Sequence, residues 1–300
     1  MTVESCTRFL RLAEEDPEVR QQMKALTGVE EVIRLARTGG YDFTVRDLMT
    51  ASAEAGARDV PEPMDAPPAG DRPKAPAGAV YHYEYDMNDL PGFGAIIDEL
   101  PRLKVQPSTV DLARFHDAFR EEDLHSTALA PSGPEYQAWR DRVAAAPPGD
   151  VRRDFHLINL DDHVAHQGYD AYLAAKTRAI AALEDVFHAE VRFSGSMWYP
   201  PSAYRLWHTN EDQPGWRMYI VDFDGDFAAP ERTSFFRYQN PATGDLVTLR
   251  ERPRMVRFFK IEQDPDRLLW HCIVNPTERH RWSFGFVVPD HWAECLPEPS

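Results

Sequence analysis

From Glu190 onward the sequence breaks into eight short runs rich in β-branched and aromatic residues: 191–199, 203–209, 216–223, 234–239, 245–250, 255–262, 268–274 and 281–288. Clusters such as Gln213-Pro214-Gly215, Asn240-Pro241-Ala242-Thr243-Gly244 and Asp264-Pro265-Asp266 separate them. Proline and glycine at these points turn the chain, and the runs are too short for a helix with an apolar stripe. Strands this short and this closely spaced predict an antiparallel sandwich or barrel. Upstream, segments 108–120 and 169–187 have helical periodicity, whereas 131–150 reads largely as loop because Pro and Gly punctuate it. Helices followed by a run of strands make the class α+β.

Composition divides the chain into three. Residues 1–54 read as short amphipathic helices, with apolar stripes at Phe9, Leu10 and Ala13, at Val19, Met23 and Leu26, and at Val32, Ile33, Leu35 and Ala36. Pro17 follows Asp16 as an N1 proline follows its cap, Gly39-Gly40 ends the third helix, and Thr44 with Asp47 marks a fourth. Residues 55–79 form a linker, in which six prolines between Pro61 and Pro76 exclude helix interiors and central strands. Residues 80–300 hold every tryptophan and all but one tyrosine. This third segment is the main domain.

The formal charge of −16 argues against a nucleic-acid partner and against docking on an anionic membrane, since both need clustered Lys and Arg. No apolar run is long enough to span a bilayer, and the N-terminal run is charged too early for a secretory signal, so a cytoplasmic location is expected. Cys6, Cys272 and Cys295 lack the spacing of a disulfide framework or a zinc site.

Chemistry concentrates on two histidines that sit inside strand-like runs, each directly after a tryptophan: His208 after Trp207 and His271 after Trp270. Imidazoles on strands are well-directed metal ligands. Arg217 lies nine residues after His208, and Arg281 lies ten after His271. Arg281 and Ser283 are two apart on one strand and so share a face, where a guanidinium and a hydroxyl suit a carboxylate. Hydrogen-bonded core histidines and a snorkelling Arg217 are the structural alternatives. His163 and His166 are three apart in a polar segment with no partner motif, which gives them little claim to a metal.

The set His208, His271 and Arg281-x-Ser283 resembles the iron(II)/2-oxoglutarate-dependent dioxygenases, over roughly residues 190–290. That resemblance implies a double-stranded β-helix (jelly roll) core, with iron(II) on the histidines and the distal carboxylate of 2-oxoglutarate on Arg281 and Ser283. Most members carry a carboxylate two residues after the first histidine; here that residue is Asn210, which is the candidate third metal ligand, with Asp212 or water as the alternatives. The aspartyl/asparaginyl β-hydroxylase branch is similar in using two histidines and an arginine at the place of Arg217. The resemblance implies hydroxylation of a peptide or amino-acid side chain. A silent β-barrel peptide-binding module and a cupin-like enzyme of another kind are the rivals.

Phe9-Leu10, Asp16-Pro17 and Gly39-Gly40-Tyr41-Asp42-Phe43-Thr44 make residues 1–54 similar to the nif-eleven family, known from leader regions of ribosomally made peptides. It implies peptide modification, with this segment recruiting a partner. Residues 1–54 contain no histidine and are expected to take no part in the chemistry.

Overall fold

A computed structural model of the chain describes residues 3–16, 19, 22–23, 29–43, 81–145, 153–227, 229 and 232–297. The chain divides into two compact units, Met1–Arg72 and Pro73–Ser300.

The first unit contains α1 (Val3–Glu15) and α2 (Val29–Thr38). Cys6, Phe9, Ile33, Ala36 and Phe43 form its small core, with Leu10, Val19, Met23, Val32 and Leu35 packed against it, so the expected apolar stripes do face inward. Asp16 Oδ1 accepts from the Val19 N–H at 3.3 Å, the cap expected before Pro17. Gly40, at φ 83°, ends α2 as the left-handed residue after a helix, and Tyr41 N–H returns to Ala36 O. Leu26 and the Thr44–Asp47 helix start lie outside the described residues.

The second unit starts with β1 (Tyr83–Asp86) and the helices α3 (Gly94–Leu103), α4 (Leu112–Asp117), α5 (Glu121–Ser126) and α6 (Pro134–Ala144). β2 (Phe155–His156), β3 (Ile158–Asn159) and α7 (Tyr169–Phe187) follow. α6 corrects the reading of 131–150 as largely loop. Pro134 stands at its first turn after Gly133, where a missing N–H costs nothing, and Tyr136 and Trp139 bury one face.

Eight strands then match the eight runs: β4 (Arg192–Tyr199), β5 (Tyr204–His208), β6 (Gly215–Phe223), β7 (Phe235–Gln239), β8 (Leu246–Arg250), β9 (Met255–Ile261), β10 (His271–Val274) and β11 (Arg281–Val287). They fold into a larger sheet of order β1-β9-β6-β11-β4-β3 and a smaller one of order β2-β5-β10-β7-β8, antiparallel throughout. Successive strands from β4 to β11 alternate between the sheets, except at the β7–β8 hairpin where the path reverses. This is the expected double-stranded β-helix.

Period-two alternation assigns the faces. Trp282, Phe284 and Phe286 of β11 pack outward with Met218, Ile220 and Phe258 onto α3 and α7, whose Ala175 and Ala179 admit close approach. Each such large apolar side chain contributes about 1.5–3 kcal/mol when buried. Arg281, Ser283 and Gly285 therefore point the other way, between the sheets. On the smaller sheet, Trp207, Cys272 and Val274 pack outward with Tyr136 and Trp139 of α6, and Trp207 Nε1 donates to Ser126 O at 3.2 Å. The two tryptophans beside the histidines thus brace the sheet from behind, with Trp270 partly buried in the same cluster.

Candidate active site

His208 ends β5 and His271 begins β10, and the antiparallel register sets them directly opposite each other. Their ring centroids are 4.0 Å apart. Each Nδ1 donates to the carbonyl two residues upstream, His208 to Leu206 O and His271 to Leu269 O, both at 2.8 Å. A carbonyl can only accept, so Nδ1 carries a proton in both rings, and Nε2 is the nitrogen that could hold a metal. Burial pulls the His271 pKa down to about 3 against the opposing pull of the Leu269 carbonyl, with Arg205 and Arg257 adding to the depression. His271 is a neutral imidazole at any ordinary pH.

Both histidines line a cavity of ≈ 40 Å³ between the sheets. Arg205, Arg257, Arg281 and Ser283 line it too, and among the described residues no carboxylate does. In a chain of charge −16, three guanidinium groups line one cavity, two of them sharing the buried carboxylate of Glu251. Gly285 helps to shape the wall: a Cβ there would meet Ser194 Oγ at 2.7 Å and the Tyr219 ring at 2.9 Å. Without that Cβ, Tyr219 lies flat against Phe259 at 5.4 Å.

Arg281 and Ser283 share this wall as the sequence predicts. Arg281, however, is already held along one edge. Its Nε and Nη2 donate to Glu251 Oε2 and Oε1 at 2.6 and 2.8 Å, and its guanidinium lies 4.5 Å from the centre of the Tyr199 ring. The remaining nitrogen, Nη1, is buried without a hydrogen-bond partner, as is Ser194 Oγ beside the cavity. Glu251 also accepts from Arg257 Nη1 at 2.9 Å and from Ser234 Oγ at 2.6 Å. Burial pushes its pKa up, but the two guanidinium groups, Arg281 first, bring it down to about 2. Arg257 completes the network through Glu84, at 2.9 Å from Nε.

Glu251, Arg257 and Arg205 went unnoticed in the sequence. Glu251 sits in the charged run Arg250-Glu251-Arg252-Pro253-Arg254, which reads as a solvated turn. Arg257 and Arg205 are single charges inside apolar runs, and only the inward phase of β9 and β5 assigns them to the cavity.

Asn210 is adjacent to the pair, with Nδ2 3.5 Å from His271 Nε2, and its Oδ1 accepts from Arg205 Nη2 at 2.9 Å. Asp212 is exposed on the following turn. Arg217 is buried on β6, on the face it shares with Tyr219, and donates through Nη2 to Gln213 O at 2.5 Å. Burial lowers its pKa, and its Nη1 has no hydrogen-bond partner, but it does not line the cavity. His163 and His166 are spent on α4's approach, one on Thr109 Oγ1 at 2.8 Å and the other on Ser108 N–H at 3.3 Å. Cys272 and Cys295 carry free thiols. Among the described residues no third His, Cys, Asp or Glu joins a metal-ligand group, and none of the helices is long and apolar enough to cross a membrane.

The donor set fits the two groups that the resemblance implies. Two imidazoles whose Nδ1 is fixed as a donor suit a divalent iron, and a buried guanidinium nitrogen beside Ser283 suits a carboxylate.

Comparison with known proteins gives one family match, the Nif11 domain, over residues 1–48. This agrees with the resemblance read from residues 1–54. No curated protein matches the chain. Among solved structures, a prolyl-4-hydroxylase from Pseudomonas putida is similar at 19% identity and a TM-score of 0.28, covering 56% of this chain and 87% of that one. AviO1 from Streptomyces viridochromogenes Tue57 is similar at 13% identity and 0.31, covering 61% and 90%. An oxidoreductase of the 2OG-Fe(II) oxygenase family from Burkholderia pseudomallei is similar at 13% and 0.28, covering 61% and 94%.

Proposed function

We propose that this chain is an iron(II)- and 2-oxoglutarate-dependent oxygenase that hydroxylates a peptide or amino-acid side chain. The observation that carries the reading is the placement of His208 and His271, tautomers fixed, in the same cavity as Arg281 and Ser283. His208 and His271 hold the metal through Nε2. Arg281 Nη1 and Ser283 Oγ receive the distal carboxylate of 2-oxoglutarate, while Glu251 and the Tyr199 ring keep the guanidinium in place. Phe236 and Phe259 pack at 5.3 and 5.2 Å against the His271 ring and keep water from its back. Bound iron(II) supplies the oxygen chemistry, and the chain orients and shields. By analogy with the aspartyl/asparaginyl branch, Arg217 is a further anchor for the cosubstrate only if it leaves Gln213 O and turns into the cavity, which it does not line in this structure.

Because Glu251 holds the fork of Arg281, Ser283 carries a large share of carboxylate recognition. Ser283→Ala should weaken 2-oxoglutarate binding roughly tenfold, the loss of one charge-assisted hydrogen bond, with iron(II) affinity unchanged. Calorimetric titration of both ligands checks this, and equal 2-oxoglutarate affinity in the variant contradicts the assignment.

The occupied fork of Arg281 and the missing carboxylate beside His208 favour a second reading, a catalytically silent barrel that binds a peptide. Iron(II) uptake separates the two, since a silent module takes up metal equally poorly with and without His271.

The N-terminal unit is assigned to recruiting the substrate, in peptide natural-product maturation. A chain shortened to residues 79–300 should keep iron-dependent consumption of 2-oxoglutarate and lose turnover of the recruited substrate. Loss of iron binding on truncation makes the small unit part of the scaffold and contradicts the assignment.

A further inference from the structure

Asn210 stands where a third protein ligand belongs on a metal held by His208 and His271, yet its amide oxygen is engaged elsewhere. Arg205 Nη2 donates to Asn210 Oδ1 at 2.9 Å, while Asn210 Nδ2 lies 3.5 Å from His271 Nε2. Chemistry fixes this orientation: turning the amide over sets its NH₂ group against the guanidinium, donor against donor. The backbone holds it as well. Asn210 has φ 57°, in the left-handed region that asparagine tolerates, and its carbonyl accepts from Gln213 N–H at 3.0 Å to close the turn.

Arg205 is itself well anchored. It lies on β5 between two strands, registered with Phe155 of β2 and Ile273 of β10, and its guanidinium stacks 5.2 Å from the centre of the Phe155 ring. It stands in the cavity wall beside both histidines.

We propose that Arg205 is a positioning residue that withholds the Asn210 oxygen from the metal, so that the chain supplies two imidazoles only. The third place on that side is then open to a ligand from solution. This rests on the iron-site reading above and adds to it a reason why an amide at this position does not act as a ligand.

Cobalt(II) is the probe for the test, because its visible spectrum follows the number and kind of its ligands. In the full chain, Asn210→Gly removes the amide at a left-handed position that glycine adopts without strain. Arg205→Met keeps the stem packed on Phe155 and removes the guanidinium. Asn210→Gly should leave cobalt(II) affinity and spectrum unchanged. Arg205→Met should tighten cobalt(II) about tenfold, the size of effect expected when the surroundings of a metal ligand change, and alter the spectrum as the freed oxygen joins the metal. The double variant should lose the spectral change and keep only the tightening due to removal of a nearby cation.

Weakening by tenfold or more in Asn210→Gly makes Asn210 a ligand already and overturns the proposal. So does an Arg205→Met effect of equal size in both backgrounds, which reduces Arg205 to its charge. Asn210→Gly alone decides the first point should Arg205→Met not fold. Wild-type protein that takes up no cobalt(II) overturns the iron-site reading instead. The Arg205–Asn210 contact is then decided without metal: the Asn210 side-chain amide resonances must shift in Arg205→Met, and unmoved resonances contradict it.

Discussion

Glu251→Ala should destabilise the second unit by about 3–5 kcal/mol, because it leaves Arg257 and Arg281 buried without the carboxylate they share. Against a total stability of roughly 5–15 kcal/mol, that is enough to unfold a marginal domain. The pH dependence identifies the cause. Glu251 is fully buried, and its pKa falls from the ordinary 4.5 to about 2 on folding. A folded-state value below the unfolded one means that its contribution, about 3 kcal/mol, is complete above pH 4.5 and lost as the pH falls toward 2. Urea denaturation of wild type and Glu251→Gln checks this: their stabilities should differ most near neutral pH and converge across that acid window. A constant difference, or a loss below about 1 kcal/mol in Glu251→Ala, contradicts the network, since that is the range of an exposed pair.

The second large effect is on metal affinity. The cavity brings only two histidines together, so removing either leaves a single imidazole, and iron(II) affinity should fall by more than the roughly 10–100-fold seen when mere supporting residues are lost. The two variants should differ in stability. His208 is half-buried, so His208→Ala should lose metal with its fold intact. His271 is buried against Phe236 and Phe259, so His271→Ala opens a gap and should also cost about 2–4 kcal/mol. Metal titration beside denaturation separates these outcomes, and an unchanged iron(II) affinity in His208→Ala contradicts the site.

The barrel was legible because its strands obey a local rule. Runs such as 216–223 and 281–288 have the composition of strands between turn clusters, and β6 and β11 occupy them almost residue for residue. The period of two also sets Arg281 and Ser283 on one face, and both line the cavity. Run 268–274 shrank to His271–Val274, since Leu269 O is taken by the His271 ring. Helix α6 escaped because proline and glycine punctuate 131–150, although Pro134 begins a helix there.

What stayed hidden depends on which side chains meet once the barrel forms. Glu251 meets Arg281 across thirty residues, and Arg205 on β5 meets Asn210 just past the strand's end. No spacing rule joins these residues. A carboxylate among arginines reads as surface until the barrel closes over it.

The most direct test of the account is iron-dependent formation of succinate from 2-oxoglutarate, measured for full-length wild type and for His208→Ala. The account predicts metal-dependent conversion by the wild type, reduced by Ser283→Ala and abolished by His208→Ala while the fold persists. Wild-type protein that binds no iron(II) and forms no succinate across a broad peptide panel contradicts it, as does conversion that survives intact in His208→Ala.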